Sequence, residues 1–148
     1  MLMSAVTADA KKKQSVWPDG TAMDQWFGDT AKVDVAALGK QYVITDYGVK
    51  NDSALLQTEA IQKVIDTAAA NGGGVVVVPK GTFFTGSLFF RPGTHLHMAE
   101  GSRLKGSDAI THYKIVKTRL EGQTLNYFAA LINANGVDGF TITGRGTI

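Results

Sequence analysis

The apolar and polar positions of this chain change period once, just after a single clear helix. From Ile61 the apolar residues Ile61, Val64, Ile65, Ala68 and Ala69 recur at i, i+3, i+4, i+7 and i+8, one face of an amphipathic helix. Thr58 is the expected N-cap with Glu59 in the first turn, and Asn71-Gly72 supplies the stop. Ahead of the helix, Tyr42 to Ile44 is a short β-prone run, ended by Asp46, Gly48 and the polar Lys50-Asn51-Asp52-Ser53. Past the helix, Val75 to Val78 is an unbroken β-branched run, which suits a strand buried on both sides. Short β-prone segments follow at Thr82 to Thr85, Leu88 to Phe90, His95 to Met98 and Arg103 to Lys105. The pattern resumes at Leu131 to Ala134, Phe140 to Thr143 and Thr147-Ile148, always with Gly, Pro, Ser or Asn between segments.

Evenly spaced short strands fit an antiparallel sandwich or a parallel β-helix whose coils of twenty-odd residues carry roughly three strands each. The very short segments, the Gly-rich turns and the helix placed ahead of the repeats favour the β-helix. A solenoid needs a cap at its end, and an amphipathic helix provides one. The expected fold class is therefore all-β: a parallel β-helix with an N-terminal capping α-helix.

Composition narrows the function classes. At 148 residues the chain fits one domain, and 44% hydrophobic residues argue against extended disorder. Its 17 Gly against 3 Pro make it turn-rich. A net charge of +2, with no basic cluster beyond Lys11-Lys12-Lys13, leaves little footprint for nucleic acid. No apolar run reaches the roughly 18–20 residues of a membrane helix. The absence of Cys removes disulfides, thiol nucleophiles and Cys-ligated zinc. Met1 to Ala10 ends in Ala8-Asp9-Ala10, an A-x-A cleavage pattern behind a short apolar stretch, and is read as a partial signal peptide for a secreted or periplasmic protein. Residues 11–40, with Trp17-Pro18-Asp19-Gly20 and Trp26-Phe27, form an expected irregular arm whose aromatics dock on the main body. Residues 41–148 are the expected β-helix.

Local chemistry is sparse. Asn71-Gly72-Gly73-Gly74 follows a helix and precedes a strand, the reverse of a nucleotide-binding loop. His95 and His97 alternate on one strand and share a face, but a zinc site needs three or four ligands and no third is placed. They are expected to face solvent while Leu96 and Met98 fill the core. The carboxylates Asp46, Asp52, Glu100, Asp108, Glu121 and Asp138 are scattered, and no two share a strand face at close spacing. Most are expected in turns or caps. No metal or cofactor is implied.

Several stretches together resemble the N-terminal part of glycoside hydrolase family 28, the polygalacturonases and related pectin hydrolases. They are Tyr42 to Asp52, Thr58 to Asp66, Gly72 to Phe83, Gly93 to Ser107, Thr118-Arg119-Leu120-Glu121-Gly122, Tyr127 to Ile132 and Ile142 to Ile148. The leading Trp17-Pro18-Asp19-Gly20 and Trp26-Phe27 are similar to exported Bacteroidetes versions. The resemblance implies a right-handed, pectate-lyase-like β-helix, monomeric at full length, acting on galacturonan-type pectin by inverting, metal-independent hydrolysis. In that mechanism one carboxylic acid protonates the leaving oxygen while a carboxylate base activates water. The family's motifs Asn-Thr-Asp, Asp-Asp, Gly-His-Gly and Arg-Ile-Lys do not occur in these 148 residues. The implied catalytic residues therefore belong to later coils, none is assigned here, and this stretch alone is expected to be inactive and aggregation-prone. Arg119, Glu121 and Tyr127 match family positions, with a structural role expected. The alternatives are a non-catalytic β-helix that binds polysaccharide and a calcium-dependent polysaccharide lyase of the same superfamily.

Overall fold

In chain order the strands and helix are β1 (Gln41–Val43), β2 (Asp52–Leu56), α1 (Thr58–Ala70), β3 (Gly74–Val78), β4 (Gly81–Thr85) and β5 (Leu88–Phe89). They continue as β6 (Thr94–Met98), β7 (Ser102–Gly106), β8 (Ile115–Leu120), β9 (Gln123–Phe128), β10 (Ile132–Asn133) and β11 (Ile142–Gly144). The computed structural model describes residues 15–28 and 33–148, so Met1 to Ala10 and the lysine cluster lie outside the described residues. The described part of a small first unit is separate from a main unit, Val33–Ile148.

Strands from successive coils pair in parallel, in three sheets ordered β1-β3-β6-β11, β2-β4-β7 and β5-β10. Val75 pairs with His95 and Gly81 with Ser102, so a coil advances by about twenty residues, within the range of solenoid repeats. This is the right-handed parallel β-helix expected from the sequence. On the third face Leu88 pairs with Ile132, because an antiparallel hairpin, β8–β9, is inserted between β7 and β10.

Alternation decides which side chains enter the coil. Leu96 and Met98 point inward, while His95 and His97 are half-buried on the outside. Leu104 is buried between exposed Arg103 and Lys105. β3 is buried throughout: Val76 and Val78 join the core with Tyr42, Ile44, Phe83, Leu88 and Leu104, and a 3-10 turn, Val35–Leu38, lies against the strand. Phe140 packs onto the core with its ring 4.8 Å from that of Phe90.

Helix α1 closes one end of the core with Ile61, Val64, Ile65 and Ala68, whereas Ala69 is only half-buried. Its N-cap is Gln57, not Thr58, and Gln57 offers no side-chain cap. The buried Gln57 amide instead accepts from Lys50 N (2.7 Å) and donates to Lys50 O (2.8 Å). Thr58 Oγ1 accepts from Gly86 N at 2.6 Å, tying the helix start to the end of β4. A second amide takes over a strand's task. Gln62 accepts from Phe89 N and donates to Phe89 O, both at 2.8 Å, so the helix supplies β5 with the pairing a preceding strand would have made. We expect Gln57→Ala to cost about 1–3 kcal/mol in denaturant unfolding, because it strands both backbone groups of Lys50. A loss under about 0.5 kcal/mol would show that water replaces the clamp.

Two elements depart from the sequence reading. Asp52-Ser53 opens the strand β2, which pairs with β4 through a register shift between Asp52 and Leu56. The hairpin β8–β9 lies between the expected segments Arg103 to Lys105 and Leu131 to Ala134, where the sequence pattern predicts no strand. Its connection, Glu121 (φ 49) and Gly122 (φ 84), has two positive-φ residues, as the favoured two-residue hairpin turn requires.

In the first unit, Val16 bridges Ala22 across a turn held by Gly20 N donating to Trp17 O at 2.8 Å. The Trp26 ring stacks on Phe27 at 3.7 Å, and Trp17 meets Phe27 edge-on at 5.1 Å.

Candidate functional site

The six carboxylates are exposed, and each has a local explanation. Asp46 sits in the 3-10 turn Ile44–Tyr47, and Glu100, Asp108 and Asp138 occupy turns or bends. Glu121 is the first residue of the hairpin turn. Asp52 Oδ1 accepts from Ala54 N at 2.8 Å and Leu55 N at 3.1 Å, which fixes the start of β2. The expectation of turn and cap roles is thus met.

The Asp52 contacts have a titration consequence. The N–H of Ala54, then that of Leu55, then the charge of Lys50 favour the ionised carboxylate and lower its pKa from the ordinary 3.8. The stability this contributes is present above that ordinary value and is lost as pH falls through the lower folded value. An NMR titration of the Asp52 side chain should give a midpoint below 3.8. A midpoint at or above it would contradict the capping role.

His95 and His97 form an outward ladder with the next coil. Nδ1 of His95 lies 2.7 Å from Thr141 Oγ1, and Nδ1 of His97 lies 2.9 Å from Thr143 Oγ1. Among the described residues, no group of three His, Asp or Glu side chains is placed to hold a metal ion. These imidazoles serve coil-to-coil pairing.

The third histidine, His112, has no motif in the sequence to mark it and ends the 3-10 turn Ile110–His112. Its Nδ1 lies 2.7 Å from Ser107 Oγ, which resembles a nucleophile–base pair. Ser107 is nevertheless buried, and its hydroxyl also accepts from Ala109 N at 3.1 Å. Tyr113 OH donates to Ser107 O at 2.7 Å, and Lys114 N to Ser87 Oγ at 3.1 Å. The cluster fixes the root of the hairpin. Gly86 is required there, since a Cβ at that position would overlap the His112 carbonyl.

Two shallow grooves of about 450 and 570 Å³ adjoin along the start of α1 and share Thr58, Glu59, Ser87 and Lys114. The first groove sets Lys63 and Lys114 against Glu59 and Asp66, so its charges balance. Of the two carboxylates lining the first groove, Asp66 is paired with Arg91 at 2.9 Å, and the second groove is lined by one carboxylate, Glu59.

Arg119, Glu121 and Tyr127 all lie on the hairpin and are exposed. Arg119 pairs across to Thr124 and Tyr127 to Val116, which puts them on opposite faces. Lys117, missed in the sequence, shares the face of Arg119. The signal that could have revealed this hairpin was the β-prone alternation on either side of Glu121-Gly122.

Residues 42–142 match the family model described as "Rhamnogalacturonase A/epimerase, pectate lyase-like". An exo-poly-alpha-D-galacturonosidase of Dickeya chrysanthemi is 37% identical over 100 residues, which is 68% of this chain and 16% of that protein. A hyperthermoactive exopolygalacturonase from Thermotoga maritima matches with a TM-score of 0.67 at 28% identity, over 73% of this chain and 24% of that one. A family 28 exopolygalacturonase from Yersinia enterocolitica matches with a TM-score of 0.62 at 28% identity, over 71% of this chain and 20% of that one. The chain thus spans at most 24% of the length of these three relatives.

Proposed function

The chain belongs to the rhamnogalacturonase A/epimerase, pectate lyase-like family, and from that premise we propose that it forms the capped opening coils of a hydrolase cleaving galacturonan-type pectin. The observation that carries this reading is the 37% identity to an exo-poly-alpha-D-galacturonosidase over 100 residues, 68% of this chain. The fold likeness to two exopolygalacturonases supports it. In this reading the two catalytic carboxylates stand on coils beyond those described, because the family's motifs Asn-Thr-Asp, Asp-Asp and Gly-His-Gly do not occur in these 148 residues. The described coils act as a scaffold: α1 seals the core, and the parallel sheets set the register on which further coils stack. The chemistry is metal-independent inverting hydrolysis, with one carboxylic acid and one carboxylate facing the glycosidic bond. Action outside the cytoplasm fits a polymeric substrate and the A-x-A pattern at Ala8-Asp9-Ala10.

The test is the release of reducing ends from polygalacturonate by the protein expressed from its full coding sequence, with neutral galactan as control. Galacturonan-selective release that persists in chelator is the expected result. Calcium-dependent, unsaturated products would replace hydrolysis with lyase chemistry. Binding of polygalacturonate without turnover would replace it with a non-catalytic module.

A further inference from the structure

The inserted hairpin carries a patch of charge that the folding of the coils does not use. Residues paired across an antiparallel ladder point to the same side, and successive residues point to opposite sides. Val116, Thr118 and Leu120 therefore share one face with Tyr127, Leu125 and Gln123. Lys117 and Arg119 share the other with Asn126 and Thr124, which lie directly opposite them. Lys117, Arg119, Thr124 and Asn126 are all exposed, while exposed Ile115 and half-buried Phe128 complete this face at its base. Among the described residues the one ion pair is Arg91–Asp66, so no described carboxylate pairs with either hairpin cation. Glu121, the one acidic residue between Ile115 and Phe128, sits at the tip, in the turn.

Two cations at i and i+2 on a strand stand roughly 7 Å apart, each with a neutral hydrogen-bonding side chain roughly 5 Å away across the ladder. That is a row of charge flanked by amide and hydroxyl groups, which suits a flexible polymer bearing regularly spaced carboxylates and hydroxyls. Arg119 adds a planar fork matched to a carboxylate. The root of the hairpin is fixed by Ser107, His112, Tyr113 and Lys114, so the row is presented from an anchored element.

We propose that the Lys117–Arg119 face of the hairpin binds the carboxylates of a uronic-acid polysaccharide, with Asn126 and Thr124 contacting its hydroxyls. The proposal rests on the pectin reading for the identity of the polymer, and on the hairpin's charge and register for the site. It makes Lys117 and Arg119 substrate-binding residues that hold the chain without taking part in bond cleavage.

The test measures binding of a galacturonic-acid oligosaccharide to the wild-type protein and to the double variant Lys117→Ala/Arg119→Ala, by calorimetry and by amide shifts. Both side chains are exposed, so the variant should keep the wild-type melting temperature. The proposal predicts about tenfold weaker binding in the double variant, a smaller loss in Arg119→Lys, and shifts concentrated between Lys117 and Asn126. Neutral galacto-oligosaccharide should not bind there. Equal affinity in wild type and double variant would overturn the proposal, as would equally tight binding of polyglutamate or of a short DNA duplex at this face. Turnover of polygalacturonate with KM unchanged by the double substitution would overturn the site while leaving the pectin reading intact. Hairpin-dependent uronate binding by a protein that turns over no galacturonan would support the site and overturn the pectin reading.

Discussion

Gly74→Ala should destabilise the chain by about 3 kcal/mol or more, enough to remove most of a small domain's margin. Gly74 has φ 136, a conformation that L side chains rarely adopt. A Cβ there would overlap the Lys40 carbonyl oxygen and stand 2.9 Å from Tyr42 Cε2. The strain alone accounts for about 1–3 kcal/mol. The overlap adds to it, because Lys40 O accepts from Val75 N at 2.8 Å and Tyr42 is fully buried, so neither can withdraw cheaply. Gly72→Ala separates the two causes. Gly72 also has positive φ, at 90, but nothing lies within 4 Å of its would-be Cβ. Denaturant unfolding of both variants should show a clearly smaller loss for Gly72→Ala. Equal losses would mean that backbone strain alone matters and that β1 and β3 do not approach as closely as described.

Ile65→Ala is the second large effect, with an expected loss of about 2–5 kcal/mol. Ile65 is fully buried and lies in one core cluster with Val76 and Leu96. Helix α1 is 13 residues long, too short to persist alone in water, so it depends on this buried face. Truncating Ile65 both opens a cavity and weakens the cap. Hydrogen exchange should quicken first along α1 and at Phe89 N, which the Gln62 side chain holds. A variant that loses stability while Phe89 N stays as protected as in wild type would show that α1 does not cap β5.

The coil strands were legible because each has one buried side. The alternation of His95-Leu96-His97-Met98 and the unbroken Val75 to Val78 state their burial directly in residue type. Legibility failed where burial does not choose the residues. Every residue of β2 is exposed and its pairing slips by a bulge, so Asp52-Ser53-Ala54-Leu55-Leu56 carries no period. The hairpin strands are exposed or half-buried on both faces, and Glu121-Gly122 is not the Asn-Gly or Asp-Gly pair that marks such turns. Thr58 looked like the cap because it has the right chemistry, but tertiary contacts drew its hydroxyl to Gly86 and left Gln57 at the boundary. The candidate site was less legible than the fold. Lys117 and Arg119 share a face only because Ile115 to Leu120 is a strand, and with both faces of that strand largely exposed its alternation is a weak signal.

The most direct test of the central claim, that these coils open an inverting pectin hydrolase, is the anomeric configuration of its first product. Proton NMR during polygalacturonate cleavage by the full-length protein would read it before mutarotation. The account predicts β-galacturonate released first from the α-linked chain. α-Galacturonate first, or an unsaturated uronate, would contradict it.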